Sequence, residues 1–78
     1  MKIITSKTFG KQINKLDNSE RERAWKIIKN IIDGKVRGKP LKYDRKGTME
    51  VYMGSKRLYS KVEDNTLYLL EISHKNQQ

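Results

Sequence analysis

The apolar residues of this chain change period once, and the change restricts what it can fold into. Up to Ile32 they recur at helical spacing: Phe9, Ile13 and Leu16 fall at i, i+4 and i+7, and Ala24, Ile27, Ile28, Ile31 and Ile32 form a second stripe. Beyond Pro40 the pattern alternates, so that Met49, Val51 and Met53 share one side of a strand, as do Leu58, Ser60 and Val62. Two amphipathic helices followed by alternating strands describe an α+β chain with the helices packed on one face of a sheet.

Local signals divide these halves further. Residues 1–5 read as a short first strand, and Ser6 as the N-cap of the first helix. Asp17 and Asn18 interrupt that helix, and Ser19 with Glu22 fits a capping box for a second one that stops at Gly34. Residues 34–40, GKVRGKP, hold two glycines and the only proline and read as a loop. Strands are expected over 48–53, 56–62 and 66–72, joined at Gly54-Ser55 and Glu63-Asp64-Asn65 as an antiparallel meander. The run Leu67 to Leu70 is apolar on both sides, which makes its strand interior. The expected order is β-α-α-β-β-β in one domain, residues 1–78, with Trp25 at the edge of the core. Helices on the Met/Val/Leu face leave Glu50, Tyr52, Arg57, Tyr59 and Lys61 on an uncovered one.

A chain of 78 residues has room for one thin core. Zero cysteines exclude disulfides and a thiol nucleophile, and one histidine cannot build a dedicated zinc site, so no cofactor is expected. No apolar run approaches the roughly 20 residues that span a bilayer, and the N-terminus has no signal-peptide core, which predicts a cytoplasmic protein without a membrane partner. Net charge is +9 and unevenly spread. Residues 35–61 hold nine Lys and Arg against two Asp and Glu, whereas residues 62–78 hold one against three. Concentrated basic charge interleaved with tyrosines points to a polyanion: cations hold phosphates, and phenol rings stack on splayed bases, as proteins grip single-stranded RNA.

The ordered set of elements resembles the RelE/ParE toxin superfamily of type II toxin–antitoxin systems over nearly the whole chain. The likeness rests on the helical hairpin, then Gly38-Lys39-Pro40-Leu41-Lys42 leading into a strand, then Lys56-Arg57-Leu58-Tyr59, an acid-rich turn, an apolar strand and Ile72-Ser73-His74-Lys75. The last two motifs are similar to the family's "Y/H-R-L/V-V-Y" and "V-G-H-R". The resemblance implies a RelE-like fold and a ribosome-dependent endoribonuclease that cleaves mRNA in the A site without a metal, the ribose 2′-OH attacking the adjacent phosphorus. It also implies an acidic antitoxin as partner, alongside the ribosome and mRNA.

That reaction needs a base, cations for the developing charge, and an acid for the leaving oxygen. By motif position the resemblance makes Arg57 the clamp on the scissile phosphate and Lys75 a second one, although lysine supplies a point charge where the family has a guanidinium fork. His74 suits proton transfer near neutrality. Glu50 and Tyr59 complete the candidate catalytic set, and Lys39, Lys42, Arg45, Lys46, Tyr52, Lys56 and Lys61 are candidate RNA contacts. Relatives carry a tyrosine shortly after the "H-R" motif where this sequence reads Asn76-Gln77-Gln78. The departure implies either that Tyr59, Tyr52 or His74 takes over the proton transfer, or that the rate drops by about 10² to 10⁴. A non-catalytic RNA- or ribosome-binding relative and a ParE-like gyrase inhibitor are the alternative readings.

Overall fold

The computed structural model describes residues 1–35, 39–40 and 47–74. Five strands and two helices follow the order β1 (Lys2–Thr5), α1 (Lys7–Lys15), α2 (Asn18–Ile32), β2 (Lys39–Pro40), β3 (Thr48–Met53), β4 (Lys56–Glu63) and β5 (Thr66–His74). This is the expected α+β order with one addition. The segment read as a loop up to Pro40 ends in the two-residue strand β2, which pairs antiparallel with β3 at Lys39–Glu50 and Pro40–Met49.

The sheet order is β1-β5-β4-β3-β2. β3, β4 and β5 form the antiparallel meander, and β1 returns alongside β5 in parallel, so β5 is interior between β1 and β4. The β4–β5 turn places Asp64 and Asn65 at φ 52° and 58°. Two consecutive left-handed residues of these types are what a two-residue hairpin turn with the right twist requires. Gly54 takes φ 64° in the β3–β4 turn, and an added Cβ would lie 2.8 Å from Arg23 Nη1.

The hairpin of helices is fixed by its caps. Ser6 Oγ accepts from Phe9 N at 3.0 Å and donates to Leu70 O, which ties the start of α1 to β5. The start of α2 differs from expectation. Asp17, two residues before Ser19, is the N-cap: its Oδ1 accepts from Glu20 N at 2.8 Å and from the Ser19 hydroxyl at 3.0 Å. A carboxylate at this point also meets the positive end of the helix dipole, so it outcompetes the serine. These hydrogen bonds, the one from Glu20 N first and that from Ser19 next, hold the Asp17 pKa below its ordinary value. Arg21 then donates to the carbonyls of Ile13, Asn14 and Leu16, satisfying the end of α1.

Both helices cover one face of the sheet. Phe9, Ile13, Leu16, Ala24 and Ile28 meet Met53, Leu58, Leu67, Leu69 and Ile72 in a single core, with Ile27, Ile31 and Ile32 packed at its margin. Trp25 stands edge-on to Phe9 at 6.4 Å between ring centroids and is largely exposed, at the core's rim. Among the described residues no helix is long and apolar enough to cross a membrane.

Candidate nucleic-acid interface

Strand alternation sends every second residue of the meander to the face away from the helices, and the register sorts them into rows. Tyr52, Arg57 and Ser73 lie across one row, Glu50, Tyr59 and Glu71 across the next, and Thr48, Lys61 and Tyr68 across a third. β2 extends the middle row, placing Lys39 opposite Glu50.

Within these rows Arg57 is held from several sides. Its Nη1 donates to Glu50 Oε2 at 3.3 Å along the diagonal between β3 and β4, and its guanidinium carbon stands 5.2 Å from the centre of the Tyr52 ring, opposite on β3. Burial works against the charged form of Arg57, but the Tyr59 hydroxyl, the Glu50 carboxylate and the Tyr52 ring outweigh it and raise the pKa above the ordinary arginine value. The guanidinium is a permanent cation in a fixed place.

This face is only in part the uncovered surface the alternation predicted: Tyr52 is 54% exposed. Glu50 is only 5% exposed and Tyr59 7%. A carboxylate so placed needs a charge-assisted partner, which Arg57 supplies. The strands also bring less positive charge than expected. Lys61 Nζ pairs with Glu63 Oε2 at 2.9 Å, which raises its pKa, while Glu50 and Glu71 offset Arg57. The basic excess lies in the sequence at residues 35–46, with six Lys and Arg against one Asp. The sheet therefore contributes a cation, a carboxylate and phenols in contact, the combination that acid–base chemistry at a phosphate requires.

Solved toxins share this architecture over nearly the whole chain. A YoeB/ParE toxin from Agrobacterium tumefaciens superposes with a TM-score of 0.86 at 18% identity, covering 95% of this chain and 98% of that one. The fold is that of the RelE/ParE toxins. The RelBE2 toxin–antitoxin complex from Mycobacterium tuberculosis gives 0.78 at 22% identity, covering 94% of this chain and 95% of that chain. The intact Escherichia coli RelBE toxin–antitoxin complex gives 0.79 at 14%, covering 94% of each. No protein-family model matches the chain, and no curated protein matches its sequence.

On this RelE/ParE fold the candidate residues divide. Arg57, Glu50, Tyr52 and Tyr59 come together, with Lys61 one row away. Lys56 and His74 do not join them. They pair with each other across β4 and β5, in the rows facing the helices, where Lys56 Nζ meets Glu20 of α2 at 2.8 Å. His74 is exposed at the end of β5, lining with Lys56, Lys15 and Gln12 a cleft of about 490 Å³ beside α1. His74, the candidate for proton transfer, and Arg57, the candidate phosphate clamp, thus stand on opposite sides of the sheet. Lys42, Arg45, Lys46 and Lys75 lie outside the described residues.

The register shift at Tyr59/Ser60 causes this division. Ser60 pairs with Leu69 but Tyr59 with Glu71, so Leu70 is an extra residue in β5. One inserted residue exchanges the faces of all that follow. It carries His74 to the helix side and brings Glu71 and Ser73, neither among the candidates, into line with Tyr59 and Arg57. The spacing of Leu67, Leu69 and Ile72, two and then three residues apart, was the available signal.

Proposed function

We propose that the chain is the toxin of a type II toxin–antitoxin system and a ribosome-dependent endoribonuclease that cuts mRNA in the A site. The observation that carries this reading is the contact of Arg57 with Glu50 at 3.3 Å, beside Tyr52 and Tyr59, on a RelE/ParE fold. In the reaction the ribose 2′-oxygen bonds to phosphorus and the bond from phosphorus to the 5′-oxygen breaks, leaving a 2′,3′-cyclic phosphate and a free 5′-OH. Glu50 is suited to take the 2′-OH proton, Arg57 to stabilise the phosphorane oxygens, and Tyr59 to return a proton to the 5′-oxygen. Lys39, Lys42, Arg45, Lys46 and Lys75 are assigned to the phosphates on either side, and Tyr52 to base stacking. The partners are mRNA on the ribosome and an acidic antitoxin segment that folds onto the basic surface.

Primer extension on mRNA in programmed ribosomes tests the reading. The expected result is a new stop within the A-site codon, dependent on the protein and absent from free mRNA. A second reading, a non-catalytic ribosome-binding protein, draws support from the separation of His74 from Arg57. Ribosome binding without any cleavage product selects it.

A further inference from the structure

Helix α1 makes three locally unfavourable choices away from the core, offset among the described residues only by the favourable place of Lys15 in its last turn. Lys7, Lys11 and Lys15 recur every four residues and are all exposed. Like charges at this spacing repel along a helix, and Lys7 sits in the first turn, where the helix dipole disfavours a cation. The sequence KTFGKQINK contains no acidic residue to offset them, and none of the three lysines forms an ion pair with a described residue. On the flank of the stripe, nearest Lys7 and partly buried, is Gly10, mid-helix and without positive φ, where an added Cβ would meet nothing within 4 Å. Neither backbone geometry nor packing calls for a glycine there, and it weakens the helix relative to alanine. Local rules broken along one side of a helix, with little internal gain among the described residues, mark a surface shaped by something outside the molecule.

We infer that the outer face of α1 is a docking track for an RNA backbone, separate from the Arg57–Glu50 site. Four residues advance a helix by about 6 Å, so the lysines follow one another at a step comparable to successive phosphates on one strand. Lysine, a compact point charge, grips phosphates without demanding one geometry, which suits sequence-independent docking. Gly10, on the flank beside Lys7, leaves room for that backbone at the start of the track. The track ends at Lys15, which lines the same cleft as Lys56 and His74. That cleft lies on the helix side of the sheet, so RNA on α1 is not the segment that Arg57 reaches. This inference deepens the proposed function by assigning α1 to the RNA of the ribosome and the sheet face to the mRNA.

The test is filter binding of wild type, K7Q/K11Q/K15Q, K7R/K11R/K15R and Gly10→Ala to 70S ribosomes and to an RNA hairpin over a salt series, with poly-glutamate as an acidic-polypeptide probe. The glutamine variant is expected to bind ribosomes at least tenfold more weakly. The slope of log affinity on log salt should flatten by about 2, at roughly 0.7 for each of three lost phosphate contacts. The arginine variant should bind like wild type, and Gly10→Ala more weakly despite a melting temperature no lower. A glutamine variant with wild-type affinity and slope overturns the inference and leaves the nuclease reading standing. Loss of poly-glutamate binding alone also overturns it, by assigning the stripe to an acidic protein. Wild type that binds in this stripe-dependent way without cutting mRNA supports the inference while the nuclease reading fails.

Discussion

Arg57 Nη1 stands 3.3 Å from Glu50 Oε2, so the guanidinium proposed to receive a phosphate already holds a carboxylate. The pair is a diagonal one: Arg57 lies directly opposite Tyr52, and Glu50 directly opposite Tyr59. An incoming phosphate must share or displace Glu50, and displacement would leave that carboxylate beside the substrate, able to accept a proton. In the proposed reaction the pairing would join substrate binding to release of the base.

Removing either partner is expected to act on rate more than on binding. Arg57→Ala should cut mRNA about 10² to 10³ times more slowly, the usual loss when a preorganised donor to a developing oxyanion is removed. Its ribosome affinity should change only modestly, because a contact made chiefly in the transition state appears in the rate. Single-turnover cleavage beside equilibrium binding measures both. Equal cleavage by wild type and variant would remove Arg57 from the site.

Glu50→Gln keeps the side-chain shape but cannot take a proton. Cleavage should fall by about 10² to 10⁴, and His74→Ala should fall far less because His74 lies across the sheet from Arg57. If His74→Ala proves the more damaging of the two, the proton transfer belongs to the cleft beside α1.

In the core, Ile28→Ala should destabilise the protein by about 2 to 5 kcal/mol, since Ile28 is 2% exposed within the main cluster. Ile31 sits at the margin of that cluster, so Ile31→Ala should cost clearly less. Urea melts of the two variants compare them directly. A larger loss at Ile31 would contradict the way α2 faces the sheet.

One substitution at two glycines should have opposite signs. Gly10→Ala should stabilise by about 0.5 to 1 kcal/mol, because a helix interior favours alanine and the methyl group meets nothing within 4 Å. Gly54→Ala should destabilise by about 1 kcal/mol, since φ is 64° and the new Cβ would press on Arg23. Thermal melts giving both changes the same sign would be inconsistent with these backbone environments.

Acid should weaken the start of α2. The Asp17 pKa is lowered from 3.8 by the hydrogen bonds it accepts from Glu20 N and Ser19. Its contribution to stability is therefore present above pH 3.8 and lost as pH falls through the lower, folded value. Asp17→Asn retains a cap without a titrating group, so stability measured by urea melts should fall less steeply below pH 3.8 than in wild type. Equal slopes would show that other carboxylates set the acid limit.

Much of this molecule is written locally in its sequence. The two helical stripes, the Ser6 cap, the stop at Gly34 and the strand over Thr48–Met53 depend on periodicity and turn chemistry within a few residues. The rows holding Tyr52 opposite Arg57 and Glu50 opposite Tyr59 follow from the same alternation through a two-residue turn. Three features were not legible in this way. Asp17 replaced Ser19 as the cap because both residues satisfy the pattern and the carboxylate adds the helix-dipole interaction to the two hydrogen bonds it accepts. Lys39 and Pro40 became a strand because β3 presents an edge for them to pair with, a preference not carried in their own sequence. The partition of the site was decided by Leu70. Alternation counted straight along β5 puts His74 with Arg57, whereas packing Ile72 beneath the helices inserts a residue and sends His74 to the other side. A sequence fixes the period of a strand, but where that period slips is decided by the core it must fill.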